Sequence, residues 1–271
     1  MPIPKSQSGE MPFLDHLEEL RWRIIYSLGS AIVCIGIGFW VTLHFDLVRI
    51  LAGPILPLLP SGKLVFTHPS DKFSITLNTA MTFGITLAAP VILYQVWLFL
   101  SPALHKHEKR VGIGVLFAGT ILFAAGVSLA FFVVVPLALP WLFDFGTTMM
   151  IPLITAEEYF SFVFTMVLTF GVSFELPIVV LALSALGIVT PQLLSKYRRH
   201  AVVMIVIAGA FLTPGDLIWT TIALAVPLYG LYELSVAASF IIYKRKQRRR
   251  ARLDAEQAKE AKEAEQSEAT A

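Results

Sequence analysis

Cysteine and charged residues are both scarce in this sequence of 271 residues. The single cysteine, Cys34, excludes an intrachain disulfide, and the lack of a cysteine–histidine cluster predicts no metal site. Only 15% of the residues are charged, against roughly 25% in soluble domains, and 56% are hydrophobic. The hydrophobic residues also fall in long runs. The composition therefore predicts a polytopic membrane protein and excludes a soluble domain with a large core.

Motifs of common enzymes and of cleaved export signals are also missing. The sequence has no glycine-rich phosphate loop, no His-Glu-x-x-His motif and no serine elbow. We therefore expect no enzymatic activity and no cofactor. Residues 24–43 are too long for the apolar core of a signal peptide and lack an Ala-x-Ala exit, which predicts an uncleaved first helix. No internal repeat is evident, which argues against a transporter built from inverted repeats.

The apolar runs predict an all-α membrane protein with six transmembrane helices. The expected spans are residues 22–44, 73–100, 111–135, 158–186, 201–212 and 217–243. They lie within one membrane domain, residues 11–243. We expect a flexible N-terminus at residues 1–10 and a cytoplasmic tail at 244–271, first basic and then rich in Ala, Glu and Lys.

An amphipathic helix is predicted just before the first span. Phe13, Leu14, Leu17 and Leu20 recur at helical spacing and make one apolar stripe. Acidic residues come before basic residues along this segment, an order that suits the helix dipole. We therefore expect an interfacial helix that runs into the first span.

The fifth span is unusually short. Residues 201–212 would cover roughly 18 Å, against about 30 Å of hydrocarbon. One interpretation is local thinning of the bilayer around the last two spans. The other is that the aliphatic stems of Lys196, Arg198 and Arg199 extend the apolar length while their charges reach water.

Lysine and arginine are distributed very unevenly between the predicted loops. Of the 21, only Arg49, Lys63 and Lys72 fall in the loop after the first span, and none falls in 136–157 or 213–216. The remaining 18 lie at the two termini and in the loops near 108 and 197. By the positive-inside rule, both termini are predicted to be cytoplasmic.

Two carboxylates, Glu19 and Glu108, are expected on the cytoplasmic side at the membrane boundary. Glu108 lies in the charged loop 104–110, among cations. Two carboxylates suit a ligand with two guanidinium groups, since arginine binds carboxylates with two parallel hydrogen bonds. The alternative is that each is a solvated ion pair, Glu19 with Arg23 and Glu108 with its basic neighbours.

Glu175 is predicted inside the fourth span, just before Pro177. A carboxylate at the bilayer centre costs at least about 3 kcal/mol, so it should face a cavity, a partner or a hydrogen-bond donor. The functional interpretation is a polar docking point within the membrane. The structural alternative is a satisfied hydrogen bond to Gln95 or Asn78 of the second span.

Several segments occur in an order that resembles one known family, the TatC subunit of the twin-arginine protein translocase. They are His16–Arg21, Pro90–Trp97, Ser101–Arg110, Phe170–Pro177 and Thr213–Asp216. The resemblance covers about residues 11–243. It implies a concave, glove-like bundle of six helices in the cytoplasmic (inner) membrane.

The resemblance also implies roles for individual residues. Glu19, Glu108, Arg21 and Phe99 match the signal-peptide site, and Glu175 matches the intramembrane acid, near which we expect Gln95. Thr213 and Thr220 match positions that contact partner helices, and Pro54 and Asp216 match structural loop positions.

The implied function is a receptor for signal peptides that carry a paired arginine, on folded proteins exported by the proton-motive force. The implied partners are single-span subunits of the TatA and TatB type, other copies of the chain and the lipid bilayer, with no role for nucleic acid. The alternatives are a proton- or ion-coupled solute transporter that uses Glu175 and a purely structural membrane scaffold. Solute uptake by the chain alone would favour the first alternative.

Overall fold

The computed structural model describes most of the chain between Phe13 and Ile241. The described residues are 13–59, 62–100, 112–144, 154–186, 188–212, 221–222, 225–241, 243–244, 247–248, 251 and 255. Within them the fold is helical, apart from an isolated β-bridge between Val65 and Thr155. The predicted N-terminal segment and most of the predicted tail lie outside the described residues.

The α-helices whose bounds the described residues define are numbered in chain order. They are α1 (Phe13–Phe45), α2 (Leu47–Ala52), α3 (Asp71–Leu100), α4 (Gly112–Leu129), α5 (Val135–Asp144), α6 (Ala156–Ser173), α7 (Leu176–Leu186), α8 (Pro191–Lys196), α9 (Arg198–Leu212) and α10 (Ala225–Ile241). A 3₁₀ turn, Leu56–Leu58, follows α2, and a π-helical turn, Ala130–Val134, joins α4 to α5.

Four stretches of the described chain are long and apolar enough to cross a membrane. They are Asp15–Phe45, Asp71–Phe99, Gly114–Pro140 and Ala156–Ser184, and α10 is a shorter apolar helix. The prediction of an all-α, multi-span membrane fold is confirmed. The predicted number of six spans is not established by these helices, and it stays a prediction.

The predicted interfacial helix is continuous with the first span, because α1 runs unbroken for 33 residues. It packs along most of its length against α3, and the two helices run antiparallel. Gly38 and Gly84 allow the backbones to touch: a Cβ on Gly38 would lie 2.5 Å from the Ala80 carbonyl oxygen, and one on Gly84 would lie 2.5 Å from Cα of Ile35. Small residues at such a crossing let membrane helices pack by close backbone contact.

The third span continues beyond Pro136, where the sequence predicted its end. Pro136 lies at the second residue of α5, directly after the π-helical turn Ala130–Val134. Proline lacks the N–H that would continue an α-helical ladder, and a π turn is a known way to absorb such a defect without ending the helix. The helix therefore extends to Asp144, with Pro140 inside it.

The fourth span begins at a capping box and is interrupted near its end. Thr155 Oγ1 accepts a hydrogen bond from the Glu158 N–H, and the Glu158 carboxylate accepts one from the Thr155 N–H. After Ser173 a turn of two residues, Phe174 and Glu175, separates α6 from α7. Pro177 explains the break, since it cannot donate to the Ser173 carbonyl.

The loop after α1 packs over one end of the bundle and caps it. Ile55 is fully buried, and Ala52 belongs to the same core as α6 residues such as Phe160 and Val163. The Tyr159 hydroxyl donates a 2.6 Å hydrogen bond to the Leu51 carbonyl. This cap fixes the ends of α1, α3 and α6 relative to one another.

The last described helix, α10, is tied to α7, α8 and α9 by polar contacts. Ser239 and Ser184 share a buried hydrogen bond of 2.8 Å, and the Tyr232 hydroxyl donates to the Leu194 carbonyl at 2.7 Å. Glu233 forms an ion pair of 3.2 Å with Arg198. Helix α9 begins at Arg198, earlier than predicted, yet its 15 residues still cover only roughly 22 Å.

Candidate functional site

The beginning of α1 and the end of α3 are joined by a chain of polar contacts. Glu19 accepts a hydrogen bond of 2.9 Å on Oε1 from Arg23 Nη2, one helical turn later. Arg23 also donates through Nη1 to Oε1 of Gln95 on α3, at 3.3 Å. The ion pair that the sequence offered as an alternative for Glu19 is therefore formed, and it extends across the helix–helix interface.

An aromatic contact lies beside this ion pair. The ring of His16 stacks on the ring of Phe99 with centroids 4.4 Å apart and an angle of 12° between the planes. Nδ1 of His16 is 3.9 Å from Oε2 of Glu19, so the imidazole lies next to the carboxylate. The structure thus brings two predicted site residues, Glu19 and Phe99, to one end of the α1–α3 pair.

The second oxygen of Glu19 is the unusual feature of the cluster. Oε2 is buried and has no hydrogen-bond partner among the described residues. A buried charged oxygen without a donor costs roughly 1–3 kcal/mol or more, because it loses its hydration and gains nothing in return. Among the described residues, no donor therefore fills the acceptor position at Glu19 Oε2.

Of the other predicted members of the cytoplasmic site, the structure describes Arg21 but not Glu108. Arg21 is exposed on α1, away from the Glu19–Arg23 pair. Glu108 lies outside the described residues, in the segment of chain that joins the end of α3 to the start of α4. The expected pairing of Glu108 with Glu19 stays a prediction.

Glu175 lies at the break between α6 and α7 and faces α4. A Cβ placed on Gly119 would lie 3.2 Å from Oε2 of Glu175 and 3.5 Å from Cδ1 of Leu93 on α3. The side chain is 8% exposed, and neither carboxylate oxygen has a hydrogen-bond partner among the described residues. The glycine on α4 makes the room that the carboxylate occupies.

The packing partners of Glu175 lie nearer to one end of their helices than to the other. Its neighbours Leu93 and Gly119 are each seven residues from the end of their helix, at Leu100 and Gly112, which corresponds to roughly 10 Å. Glu175 therefore lies toward the end of the bundle that carries Glu19, and its predicted position within the span stays a prediction.

Gln95 and Glu175 were predicted to share a polar site, and the structure places them apart. Gln95 accepts its hydrogen bond from Arg23 and belongs to the cluster around Glu19. The physical reason is the helical rotation between Leu93 and Gln95: two residues turn the side chain by about 200°, toward α1 and away from α4. Neither Gln95 nor Asn78 hydrogen-bonds to Glu175 within the described part of the chain.

The remaining predicted residues are one loop proline and three that the structure does not describe. Pro54 is half-buried and lies between α2 and the 3₁₀ turn, within the cap. Thr213, Asp216 and Thr220 lie outside the described residues. Their predicted roles therefore stay predictions.

Two contributions were not predicted from the sequence. His16 joins the site by stacking on Phe99, and its place in the segment His16–Arg21 and its helical spacing from Glu19 were the available signals for it. Asp71, the first residue of α3, accepts hydrogen bonds from the N–H groups of Thr67 and His68, both at 2.9 Å, and so ties the preceding turn to the helix. An acidic residue in the first turn of a long apolar helix suits the helix dipole, and that signal could have identified it.

Comparison with known proteins decides the family. The family described as Sec-independent protein translocase protein (TatC) matches residues 15–227. A TatC protein of Aquifex aeolicus is 36% identical over 239 residues, which cover 88% of this chain and 98% of that protein. The TatC protein of Escherichia coli (strain K12) is 34% identical, covering 90% of this chain and 94% of its own.

The chain belongs to the TatC family. A crystal structure of a twin arginine translocase receptor, TatC, superposes with a TM-score of 0.73 at 37% identity, covering 83% of this chain and 98% of that one. The resemblance inferred from the sequence motifs is thereby confirmed. As a TatC-family chain with several apolar helices, the protein is a multi-pass membrane component of a protein translocase.

Proposed function

We propose that this TatC-family chain is the receptor for signal peptides that carry a paired arginine. On this proposal it binds them at the cytoplasmic face of the inner membrane, with both of its termini in the cytoplasm. Glu19 and Glu108 each bind one guanidinium group of the pair. The chain then assembles with TatA-type and TatB-type single-span subunits and further copies of itself, and folded cargo is exported by the proton-motive force.

The observation that carries this proposal is the free oxygen of Glu19. The carboxylate is at the end of the α1–α3 pair, with one oxygen paired to Arg23 and the other without a donor among the described residues. An incoming guanidinium offers two parallel N–H donors, of which one would bind Oε2 and the other would replace Arg23 on Oε1. Phe99 and His16 lie beside the carboxylate and provide an aromatic surface on which a guanidinium or an apolar peptide residue could pack.

Glu175 supports the partner part of the proposal. Its carboxylate is buried in the same half of the molecule as Glu19 and lacks a donor among the described residues. A signal peptide or a partner helix that passes from Glu19 into the membrane would reach this depth after about three helical turns or fewer. We propose that a polar group of that helix hydrogen-bonds to Glu175.

The test is site-specific crosslinking of a twin-arginine signal peptide to the full-length chain in membranes. Glu19→Ala and Glu108→Ala should each reduce crosslinking by about tenfold or more, since each removes a charge-assisted contact. Glu18→Ala is the matched control, because Glu18 is an exposed neighbour on the same helix turn. Unchanged crosslinking in both test variants would refute the receptor assignment.

A second measurement separates binding from transport. The chain should restore export of a folded twin-arginine reporter in cells that lack their own TatC. The Glu19→Ala and Glu108→Ala variants should not restore it, although they should accumulate to the same level in the membrane. Normal export by both variants would favour the structural scaffold.

A further inference from the structure

A cavity of about 420 Å³ lies at the opposite end of the molecule from Glu19. It opens between the end of α1, helix α2, the segment 64–66 and the beginning of α3, and residues at the start of α6 complete its wall. Thr42 of the cavity and Glu19 are separated on α1 by roughly 35 Å, which is slightly more than the hydrocarbon thickness of a bilayer. The cavity therefore lies at the other membrane surface.

The interior of the cavity is built for an apolar ligand. Ile75 and Phe160 are almost fully buried and line it, together with Ala52 and Ala156 of the cap. Its volume falls within the range of about 300–1,000 Å³ that is typical of ligand sites in proteins. Elsewhere the cap is closely packed, and Ile55 is fully buried there. The open cavity therefore differs from the packing of the rest of the cap.

Polar and charged side chains also line the cavity. Arg49 and Lys72 line the cavity, and both are exposed. The Lys72 ammonium lies 5.1 Å from the centre of the Phe66 ring, and Arg49 has no ion pair within the described residues. Asp46 is the one acid among the lining residues, so the cations outnumber it. Thr42 lines the wall and is 3% exposed, and its hydroxyl oxygen has no hydrogen-bond partner among the described residues.

These features define the chemistry of the occupant. Two cations favour a phosphate, which accepts charge-assisted hydrogen bonds from both arginine and lysine. The apolar interior next to them favours a hydrocarbon chain, and the position at a membrane surface supplies molecules that carry both. We propose that this cavity is a binding site for an anionic phospholipid, with its phosphate at Arg49 and Lys72 and part of an acyl chain against Ile75 and Phe160.

The site has a structural consequence for the bundle. The cap joins α1, α3 and α6 through Ala52, Ile75 and Phe160, and the cavity is bounded by all of these elements. A lipid bound there would contact each of them and would stabilise the folded protein by mass action, because an unfolded chain has no such site. This inference does not depend on the proposed receptor function, which concerns the other end of the molecule.

The experiment is native mass spectrometry of the purified full-length chain in detergent, with added dioleoyl phosphatidylglycerol or dioleoyl phosphatidylcholine. The wild-type chain should retain the anionic lipid at concentrations roughly tenfold lower than the zwitterionic lipid. An Arg49→Gln/Lys72→Gln double variant should lose this preference. Both side chains are exposed, so the substitution leaves the fold intact.

Two further variants and one competitor make the outcome specific. Lys63→Gln is the matched control, because Lys63 is the third cation of the same loop and does not line the cavity. It should bind phosphatidylglycerol like the wild type, whereas Thr42→Val should bind it more weakly. Equal retention of the two lipids by the wild type, or an unchanged preference in the double variant, would overturn the proposal. Displacement of the lipid by inorganic phosphate at equal concentration would also overturn it.

Discussion

At the scale of single residues, the ion pair between Glu19 and Arg23 has the largest consequence for binding. Arg23 is a guanidinium that already occupies the carboxylate on which an arginine of the ligand would bind. Binding is therefore an exchange of one guanidinium for another. The affinity for a signal peptide is the difference between the two contacts, not the strength of the new one alone.

This exchange predicts that Arg23→Gln binds signal peptides more tightly than the wild type. A partly exposed ion pair contributes up to about 1 kcal/mol, so the expected gain in affinity is at most about fivefold. Arg23→Lys retains the competing charge and should bind like the wild type. Binding of a fluorescent twin-arginine peptide to the purified chain measures both. If Arg23→Gln weakened binding while the chain remained folded, Arg23 would be a ligand contact and not a competitor.

The buried carboxylate of Glu175 is expected to lower the stability of the chain while it serves to recruit partner subunits. Its carboxylate is buried without a donor among the described residues, so Glu175→Leu should raise the free energy of unfolding by about 1–3 kcal/mol. The same change should weaken recruitment of partner subunits, because the proposed polar contact is lost. Thermal unfolding in detergent and copurification of the partners give the two readouts.

Glu233 provides the control for that experiment. It lies on α10 and is satisfied by an ion pair with Arg198 and a hydrogen bond from the Tyr229 hydroxyl at 2.8 Å. Glu233→Leu should therefore lower stability by about 1 kcal/mol, where Glu175→Leu raises it. A Glu175→Leu chain that is more stable and still recruits its partners and exports normally would contradict the assigned role.

At the scale of helices, the antiparallel contact of α1 with α3 depends on two glycines. A methyl group on Gly38 or Gly84 would approach the facing backbone to 2.5 Å, which forces the two helices apart. Gly38→Ala should therefore lower the free energy of unfolding by about 1–3 kcal/mol. The separation would also disturb the Arg23–Gln95 hydrogen bond that joins the same helices.

Gly36 is a matched control on the same helix. A Cβ at this position would meet no atom within 4 Å, so Gly36→Ala adds helix propensity without a clash. It should be neutral or stabilise the chain by up to about 1 kcal/mol. Thermal unfolding of the two variants measures the difference, and equal effects at the two positions would show that the close crossing is not what stabilises the pair.

Hydropathy and charge predicted which segments are helices, and local backbone chemistry decided their ends. The sequence left two arrangements open for the apolar residues 47–59, a segment on the membrane surface or a cap, and the structure shows the cap. The sequence misplaced the end of the third span, since a proline can be absorbed by a π-helical turn that no periodicity reveals. The sequence also could not predict which neighbouring helix Gln95 faces, because α3 is apolar on nearly all sides. Only the packing of the helices shows it.

The sequence predicted which residues form the candidate site, but it did not predict which residues they contact on other helices. Helical spacing identified Glu19 and its possible ion pair with Arg23, and the structure confirms that pair. The contact from Arg23 to Gln95 joins residues 72 positions apart, which spacing within a single sequence cannot predict. The stacking of His16 on Phe99 is equally remote in sequence.

At the scale of the whole molecule, its two ends carry different chemistry and should face different compartments. The Glu19 cluster lies at one end and the cavity at Thr42 lies at the other, roughly 35 Å away along α1. By the positive-inside rule, the first end is predicted to face the cytoplasm. The proposed receptor site and the proposed lipid site then face opposite sides of the membrane, so loss of one should leave the other intact.

This orientation predicts opposite labelling of two exposed positions, tested with single cysteines on a Cys34→Ala background. Glu18→Cys lies on the first turns of α1, and Ser70→Cys lies just before α3; both native side chains are exposed. A membrane-impermeant maleimide added outside the inner membrane should label Ser70→Cys at once and Glu18→Cys only after the membrane is opened. Both variants should be labelled equally in detergent, which controls for reactivity. The reverse pattern would place Glu19 outside the cell interior, where signal peptides of newly made proteins do not arrive, and the receptor proposal would fail with it.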